Sequence, residues 1–438
     1  MRHFSAPPIP TDSTPAVNVY TGGMAQAHRW LLTRDFSLMW WSQVLSQVAE
    51  GISNLALLWF VYAVTGSPLK TTVIGLLQTL PPILFGPFIG VIVDRFPKKT
   101  ILIASDVARG VLIGLIPCLV SVEHFTVGSL YLLTFLYGVA TAVFVPTLSS
   151  AIPFMVTRPQ FTAANALLQS TTSLGIIIGP AVSGLGIAFA GSQDVLCLNA
   201  MTYFASAACL LPIRLRVTEA TTADGDGWRP FVRNLLDGIR YAFLTPRTVL
   251  MLIVLASVYT FGSGAFTTLF PVFGRHLLGL GPVEVGYLWS WLGVGLLFSS
   301  IGLIRMSGWD LSQRLSVITL SCALAGLALL GLTWTDDLRL AAVLVGCIGI
   351  GFGAWTPIAW GIIQEVAPAG MVGRVMAVYT ASATATSMLS MSAFGWVAES
   401  FGSVASLIGI GGVMVILAGG SAWFGKKIGV SGIAKADV

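Results

Sequence analysis

Twelve long apolar runs follow one another along most of the chain, and they leave it few choices. They cover residues 36–63, 70–93, 100–121, 127–150, 160–190, 193–213, 249–273, 283–304, 314–334, 340–364, 372–398 and 403–425. About 20 apolar residues in a helix match the hydrocarbon thickness of a bilayer. Backbone groups in lipid must bond within their own segment, so each run is expected as a transmembrane helix. Runs well beyond that length imply tilt or extension past the bilayer. Only 9% of the 438 residues are charged, against about 25% in soluble domains. The mean hydropathy is +0.86. A chain this apolar cannot cover its surface in water. The expected fold is therefore an all-α membrane protein of twelve transmembrane helices.

An even number of spans places both termini on one side. Of the 23 Lys and Arg, all but Lys70, Arg275, Arg339 and Arg109 fall in segments on that side. The positive-inside rule makes that side cytoplasmic, in a multi-pass protein of the cell's inner membrane. The net charge of +5 thus reports topology and implies no nucleic-acid partner. Residues 1–30 are polar and rich in Pro and Thr, and are expected as a disordered cytosolic tail rather than a signal peptide. Residues 31–214 and 249–425 each hold six spans. Residues 215–248 form a cytosolic connector. Its Phe231, Leu235, Ile239 and Ala242 suit an interfacial amphipathic helix or an ordinary solvated linker helix. Residues 426–438 form a C-terminal tail.

The halves repeat weakly. At an offset of 211 or 212, Gly75 maps to Gly286, Gly90 to Gly302, Gly138 to Gly349, Pro146 to Pro357 and Gly184 to Gly395. This predicts two six-helix bundles related by a pseudo-two-fold axis along the membrane normal.

Within span 1, Gln43, Gln47, Glu50 and Asn54 fall on one helical face, within an arc of about 60°. Glu50 lies roughly 20 Å from the start of the run, close to the bilayer midplane. A carboxylate there must face protein or water. In span 3, Asp106 and Arg109 stand at i, i+3, and can pair with each other or with Asp94 and Arg95 across the preceding turn. A structural or gating network is expected of them. Glu365, at the end of span 10 near Arg374, reads as a latch or a solvated helix end. The five cysteines all lie in apolar runs without CxxC spacing, and the four histidines fall in tails or loops. No metal site, no converging catalytic groups and no G-x-x-x-x-G-K-[ST] nucleotide loop are present in the sequence. Neither a cofactor nor an enzymatic activity is expected.

The turn between spans 2 and 3 reads Gly90-Val-Ile-Val-Asp94-Arg95-Phe-Pro97-Lys98-Lys99. Its bases can satisfy helix C-terminal carbonyls, and such a cluster can latch helix ends in one state and release them in another. The stretch resembles the signature of the major facilitator superfamily, G-x-x-x-D-R-x-G-R/K-R/K. Gly90, Asp94, Arg95, Lys98 and Lys99 match, and Pro97 stands where glycine is usual. Span 5 carries Gly175, Gly179, Pro180 and Gly184, which resembles the antiporter motif of exporters in that superfamily, with Ser183 replacing a glycine. Phe36-Ser-Leu-Met-Trp40, Asp106-Val-Ala-Arg109, Ala164-Asn-Ala-Leu167 and Gln364-Glu365-Val-Ala-Pro368 with Gly373-Arg374 are similar to the branch holding macrolide-efflux proteins and the enterobactin exporter. That branch usually has Asp where this chain has Glu50.

The resemblance implies secondary active export of a small amphipathic molecule by alternating access, exchanged for protons. Glu50 would be the proton-responsive group, with Gln43, Gln47 and Asn54 beside it in the cavity. The partners implied are that molecule, protons and the lipid bilayer, with the chain monomeric. Siderophore export, lipid translocation and a non-transporting membrane receptor are the alternatives. The second half has no counterpart of Glu50, because the offset places Phe261 or Gly262 there. It offers Tyr259, Trp289, Trp291, Trp355, Trp360, Tyr379, Met388 and Met391 instead.

Overall fold

A computed structural model describes residues 34–121, 126–156, 161–214, 240, 247–304, 309–366 and 372–431. The N-terminal tail, nearly all of the connector and the end of the C-terminal tail lie outside the described residues. Within them, twelve long helices run α1 Arg34–Thr65, α2 Pro68–Arg95, α3 Lys98–Ser121, α4 Val127–Ala151, α5 Phe161–Ala190, α6 Ser192–Leu210, α7 Arg247–Leu277, α8 Pro282–Ile304, α9 Leu311–Gly331, α10 Leu338–Val366, α11 Val372–Phe401 and α12 Ser403–Ser431. Nine of them are long and apolar enough to cross a membrane. The other three are α2, α6 and α11, and they lie among the same neighbours.

Local chemistry sets the helix ends. Ser67 caps α2, its hydroxyl accepting from the Lys70 amide, with Pro68 at the first helical position. Thr126 and Ser129 form a capping box at the start of α4. The hairpins α1–α2, α5–α6, α7–α8 and α11–α12 turn through Gly66, Gly191, Gly279 and Gly402, all at positive φ. These turns share one face of the molecule, opposite the face where α1 begins. They are called the far face and the entry face below.

The pairing of helices repeats with a shift of six. In the first half α1 packs on α5 and α6, α3 on α6 and α4, and α2 on α4. In the second, α7 packs on α11 and α12, α9 on α12 and α10, and α8 on α10. Between the halves, α2 meets α11 as α8 meets α5. The glycines that matched in sequence sit in matched contacts. A Cβ on Gly286 would lie 2.4 Å from the Pro180 carbonyl oxygen, and one on Gly75 3.1 Å from the sulfur of Met391, the residue that corresponds to Pro180 at the same offset. Gly90 and Gly302 both have nothing within 4 Å.

Two features of this packing position the site. The first is the seam between α1 and α5. A Cβ on Gly51 would stand 2.4 Å from the Gly175 oxygen, and one on Gly179 2.6 Å from the Gly51 Cα. Small residues let the two backbones touch, as helix association in lipid favours. The second is that contacts between the halves gather toward the far face. Thr72 lies against Gly395, Gly184 against Pro282, and Ile176 and Ile177 against Gly293. Further toward the entry face, Gly86, Gly90, Gly302 and Gly361 meet no neighbour. The main buried apolar cluster accordingly spans both halves. A second cluster, around Phe36, Leu102, Phe144 and Leu210, belongs to the first half alone.

Gly179→Ala is expected to destabilise the protein by about 1–3 kcal/mol, because backbone and not a flexible side chain blocks the added methyl. Gly302→Ala is expected to leave stability unchanged or slightly higher. Thermal unfolding of both variants in lipid nanodiscs tests this contrast.

Candidate functional site

The apolar interior of the first half encloses a charged cluster. Asp106 and Arg109, on successive turns of α3, are both fully buried and form an ion pair. Burying two charges is costly unless every lone pair and proton finds a partner. Serines from two neighbouring helices supply most of those partners. Ser206 of α6 donates to Asp106 Oδ2 at 2.6 Å, and Ser46 of α1 lies 3.4 Å from Oδ1. Arg109 Nη2 donates to Ser46 at 3.0 Å. The guanidinium stands between two rings, with its carbon 4.2 Å from the Phe144 centroid and 4.8 Å from that of Tyr203. Cation–π contacts of this kind strengthen when desolvated. Arg109 Nε is left without a partner.

The cluster extends along α1 toward the far face. The Tyr203 hydroxyl shares a hydrogen bond of 2.7 Å with Tyr137 of α4. Asn199 Nδ2 donates to the Ala49 carbonyl at 3.0 Å and to Ser53 at 2.7 Å. Glu50 stands one turn beyond Ser46, partly exposed, within coulombic reach of Arg109, Tyr137 and Tyr203. It forms no hydrogen bond or ion pair among the described residues. The charge balance is then simple. Asp106 and Arg109 neutralise each other, and Glu50 is the acid left over. With its proton the cluster is neutral; without it the cluster carries an excess negative charge.

The other expected residues distribute as follows. Gln43 is buried with Oε1 unpartnered, and Gln47 turns its backbone carbonyl and Cβ onto Gly175. Asn54 is partly exposed. The face that meets Asp106 and Arg109 is that of Ser42, Ser46 and Ser53, roughly 100° around α1 from the glutamines. Glu50 lies on the margin between the two faces. Gly175 and Gly179 receive α1, while Pro180 and Gly184 receive α8. At the entry face, Lys98 donates to the Val93 carbonyl in the last turn of α2, and Lys99 to the Leu211 carbonyl at 2.5 Å. Gly90 and Arg95 are exposed, and the side chains of Asp94 and Arg374 lie outside the described residues. Glu365 pairs with Arg314 at 2.6 Å in solvent, a contact worth about 0–1 kcal/mol.

The sequence reading missed Ser42, Ser46, Ser53, Tyr137, Asn199, Tyr203 and Ser206. Their one signal was spacing: Ser42, Ser46 and Ser53 fall on one face of α1, and Asn199, Tyr203 and Ser206 on one face of α6. In the second half the corresponding interior is aromatic. Tyr259 stacks on Trp355 at 4.8 Å, and Trp355 Nε1 donates to the Tyr379 hydroxyl at 3.1 Å. Among the described residues no His, Cys, Asp and Glu side chains group as a metal site.

Comparison with known proteins agrees with this architecture. The Major Facilitator Superfamily profile matches residues 39–391. The multidrug efflux pump Tap of Mycolicibacterium fortuitum is 25% identical over 397 residues, covering 87% of this chain and 93% of its own. Macrolide efflux protein A of Streptococcus pyogenes is 22% identical over 354 residues, covering 80% and 86%. Among solved structures, the nucleoside transporter NupG superimposes with a TM-score of 0.73 at 11% identity, over 90% of this chain and 98% of its own.

Arg109→Met alone is expected to cost about 3–5 kcal/mol, since it strands a buried carboxylate. Adding Asp106→Leu should return at least half of that loss. Chemical denaturation of the two variants measures both quantities.

Proposed function

The chain belongs to the Major Facilitator Superfamily, and from that membership we propose a secondary active exporter of a small amphipathic molecule, driven by proton antiport in a bacterial inner membrane. Relatives named for multidrug and macrolide efflux support the direction and the cargo class. The observation that carries the coupling is the position of Glu50, an acid at mid-span with no ion pair among the described residues, beside a self-neutralised Asp106–Arg109 pair.

The entry face is read as cytosolic from the distribution of Lys and Arg. The two bundles, residues 31–214 and 249–425, then touch along the outer half of the membrane and part toward the cytosol. Two contacts hold the outer side shut. The Tyr62 hydroxyl bonds His276, whose other ring nitrogen lies 3.3 Å from the Ser403 hydroxyl. Glu399 Oε2 accepts from the Ser67 hydroxyl at 2.7 Å and the Leu69 amide at 3.3 Å. A carboxylate from the second half thus sits on the N-terminus of α2, where the helix dipole favours it. Such contacts are worth a few kcal/mol together, the scale on which two states of a transporter exchange.

In this reading the ionised Glu50, with Gln43, Gln47 and Asn54 near it, accommodates cargo from the cytosol. Opening of the outer side exposes Glu50 to protons. Its neutralisation removes the excess charge, and cargo leaves. Gly90, Asp94, Arg95, Lys98 and Lys99, with Asp106, Arg109, Glu365 and Arg374, form the cytosolic gate that closes in exchange. The free surfaces of Gly90 and Gly302 are where the helices would then meet.

Glu50→Gln in proteoliposomes is expected to lower cargo-coupled proton flux by an order of magnitude or more. Unchanged coupling with cargo still transported removes Glu50 from this role. Separately, Glu399→Ala is expected to raise the outward-open population roughly fivefold, the loss of about 1 kcal/mol of helix capping. Distances between spin labels at the exposed Val64 and Val404, with the native cysteines replaced, report that population.

A further inference from the structure

A cavity of about 640 Å³ opens at the entry face, where α1 and α3 begin and α6 ends. Its size is within the range of small-molecule sites. Three basic side chains line it, Arg34 of α1, Lys99 of α3 and Arg214 after α6, against one carboxylate, Asp35. The side chains of Arg34 and Arg214 are exposed and form no ion pair or hydrogen bond among the described residues. Asp35 pairs with none of the three. Lys99 donates to the Leu211 carbonyl at 2.5 Å, which holds its ammonium at the cavity wall and leaves its other donors unspent. Three cations against one acid leave an excess of two positive charges in the cavity. Cations gathered this way repel one another, and an anion between them removes that cost.

The surroundings say which anion. Along α6, Leu198, Met201, Ala205 and Ala208 recur at helical spacing, all exposed, and lead to Pro212 in the cavity wall. On α1, Trp41 lies two turns below Arg34 on the same face and is 56% exposed. Such a face on a spanning helix meets lipid, and tryptophan gathers at headgroup level. The excess positive charge therefore sits where an apolar, lipid-facing track ends.

We infer that the cavity between the entry-face ends of α1, α3 and α6 binds the phosphate of an anionic phospholipid, with an acyl chain laid along the exposed face of α6. Basic pockets between spanning helices on the cytoplasmic side hold headgroups of this kind. In the orientation read above, the lipid belongs to the inner leaflet. Its place gives it a task. The same three helices meet again around the buried ion pair, since Ser46 and Ser206 reach Asp106 from α1 and α6. Asp106 lies about 10 Å deeper along α3 than Lys99. A phosphate that bridges the helix ends braces the bundle around that pair. The inference uses neither the cargo nor the proton coupling, and stands whether or not the exporter reading does.

Native mass spectrometry of the delipidated full chain, titrated with phosphatidylglycerol in detergent, reads the binding directly. The first phosphatidylglycerol is expected to bind at least tenfold more tightly than phosphatidylcholine with the same chains. Arg34→Gln and Arg214→Gln should each weaken it about fivefold, the worth of one basic side chain at an anionic lipid surface. Arg34→Lys should keep it, and so should Lys70→Gln, which removes an exposed cation from the far face. In nanodiscs, both Gln variants should match the thermal midpoint of the wild type in phosphatidylcholine and lose the gain that phosphatidylglycerol gives it. Equal binding of the two lipids overturns the site, as does binding that both Gln variants leave unchanged. An equal loss in Lys70→Gln reduces the effect to general surface charge and overturns it too. A loss that Arg34→Lys shares, or that tracks a lowered midpoint in phosphatidylcholine, does the same. Displacement of phosphatidylglycerol by equimolar glycerol 1-phosphate assigns the cavity to soluble phosphates and overturns the lipid.

Discussion

One buried Asp–Arg pair in one half of an apolar molecule is the constraint on which the rest depends. An Asp–Arg pair at zero exposure is a large desolvation cost, and the structure meets it with oriented serines and two aromatic faces. Those groups come from α1, α4 and α6, so the pair ties four helices of the first half to one arrangement. The pair fixes the electrostatic setting in which one further acid, Glu50, stands without a partner among the described residues.

The glycine seams translate that setting into geometry. Because Gly51 touches Gly175 and Gly179, α1 cannot drift from α5 without losing a continuous backbone contact. Because Pro180 and Gly184 touch α8 on the opposite side, the same helix carries the contact between the halves. A change of charge at Glu50 is therefore one helix removed from the surface on which the halves turn. The pseudo-symmetry makes the alternative state easy to picture. The far-face contacts at Gly75 and Gly286 would open as the free surfaces at Gly90 and Gly302 close. The second half repeats the pairing of helices but not the charges, and its aromatic interior around Tyr259 and Trp355 offers shape and polarisability instead.

Much of the fold was legible in the sequence, for a physical reason. Lipid forces each span to show as a long apolar run, and backbone contacts force glycine to stay where helices cross. The helix ends fall within a few residues of those runs, and matched glycines occupy matched contacts. The site was legible only where a residue is expensive. Glu50, Asp106 and Arg109 stand out because a charge in lipid needs a reason. Ser46, Ser206, Tyr137 and Tyr203 do not stand out, since serine and tyrosine in an apolar helix pack as readily as they bond. Which side of α1 faces inward depended on α5, whose glycines take the glutamine-bearing side and turn the serines toward α3 and α6.

The central claim is that Glu50, and not the Asp106–Arg109 pair, is the group that exchanges its proton with cargo. Calorimetric titration of the purified protein with a macrolide, repeated in buffers of different ionisation enthalpy, counts protons released per molecule bound. The account predicts release of a proton from the wild type and none from Glu50→Gln, with macrolide still bound by the variant. Equal release from both proteins would contradict it.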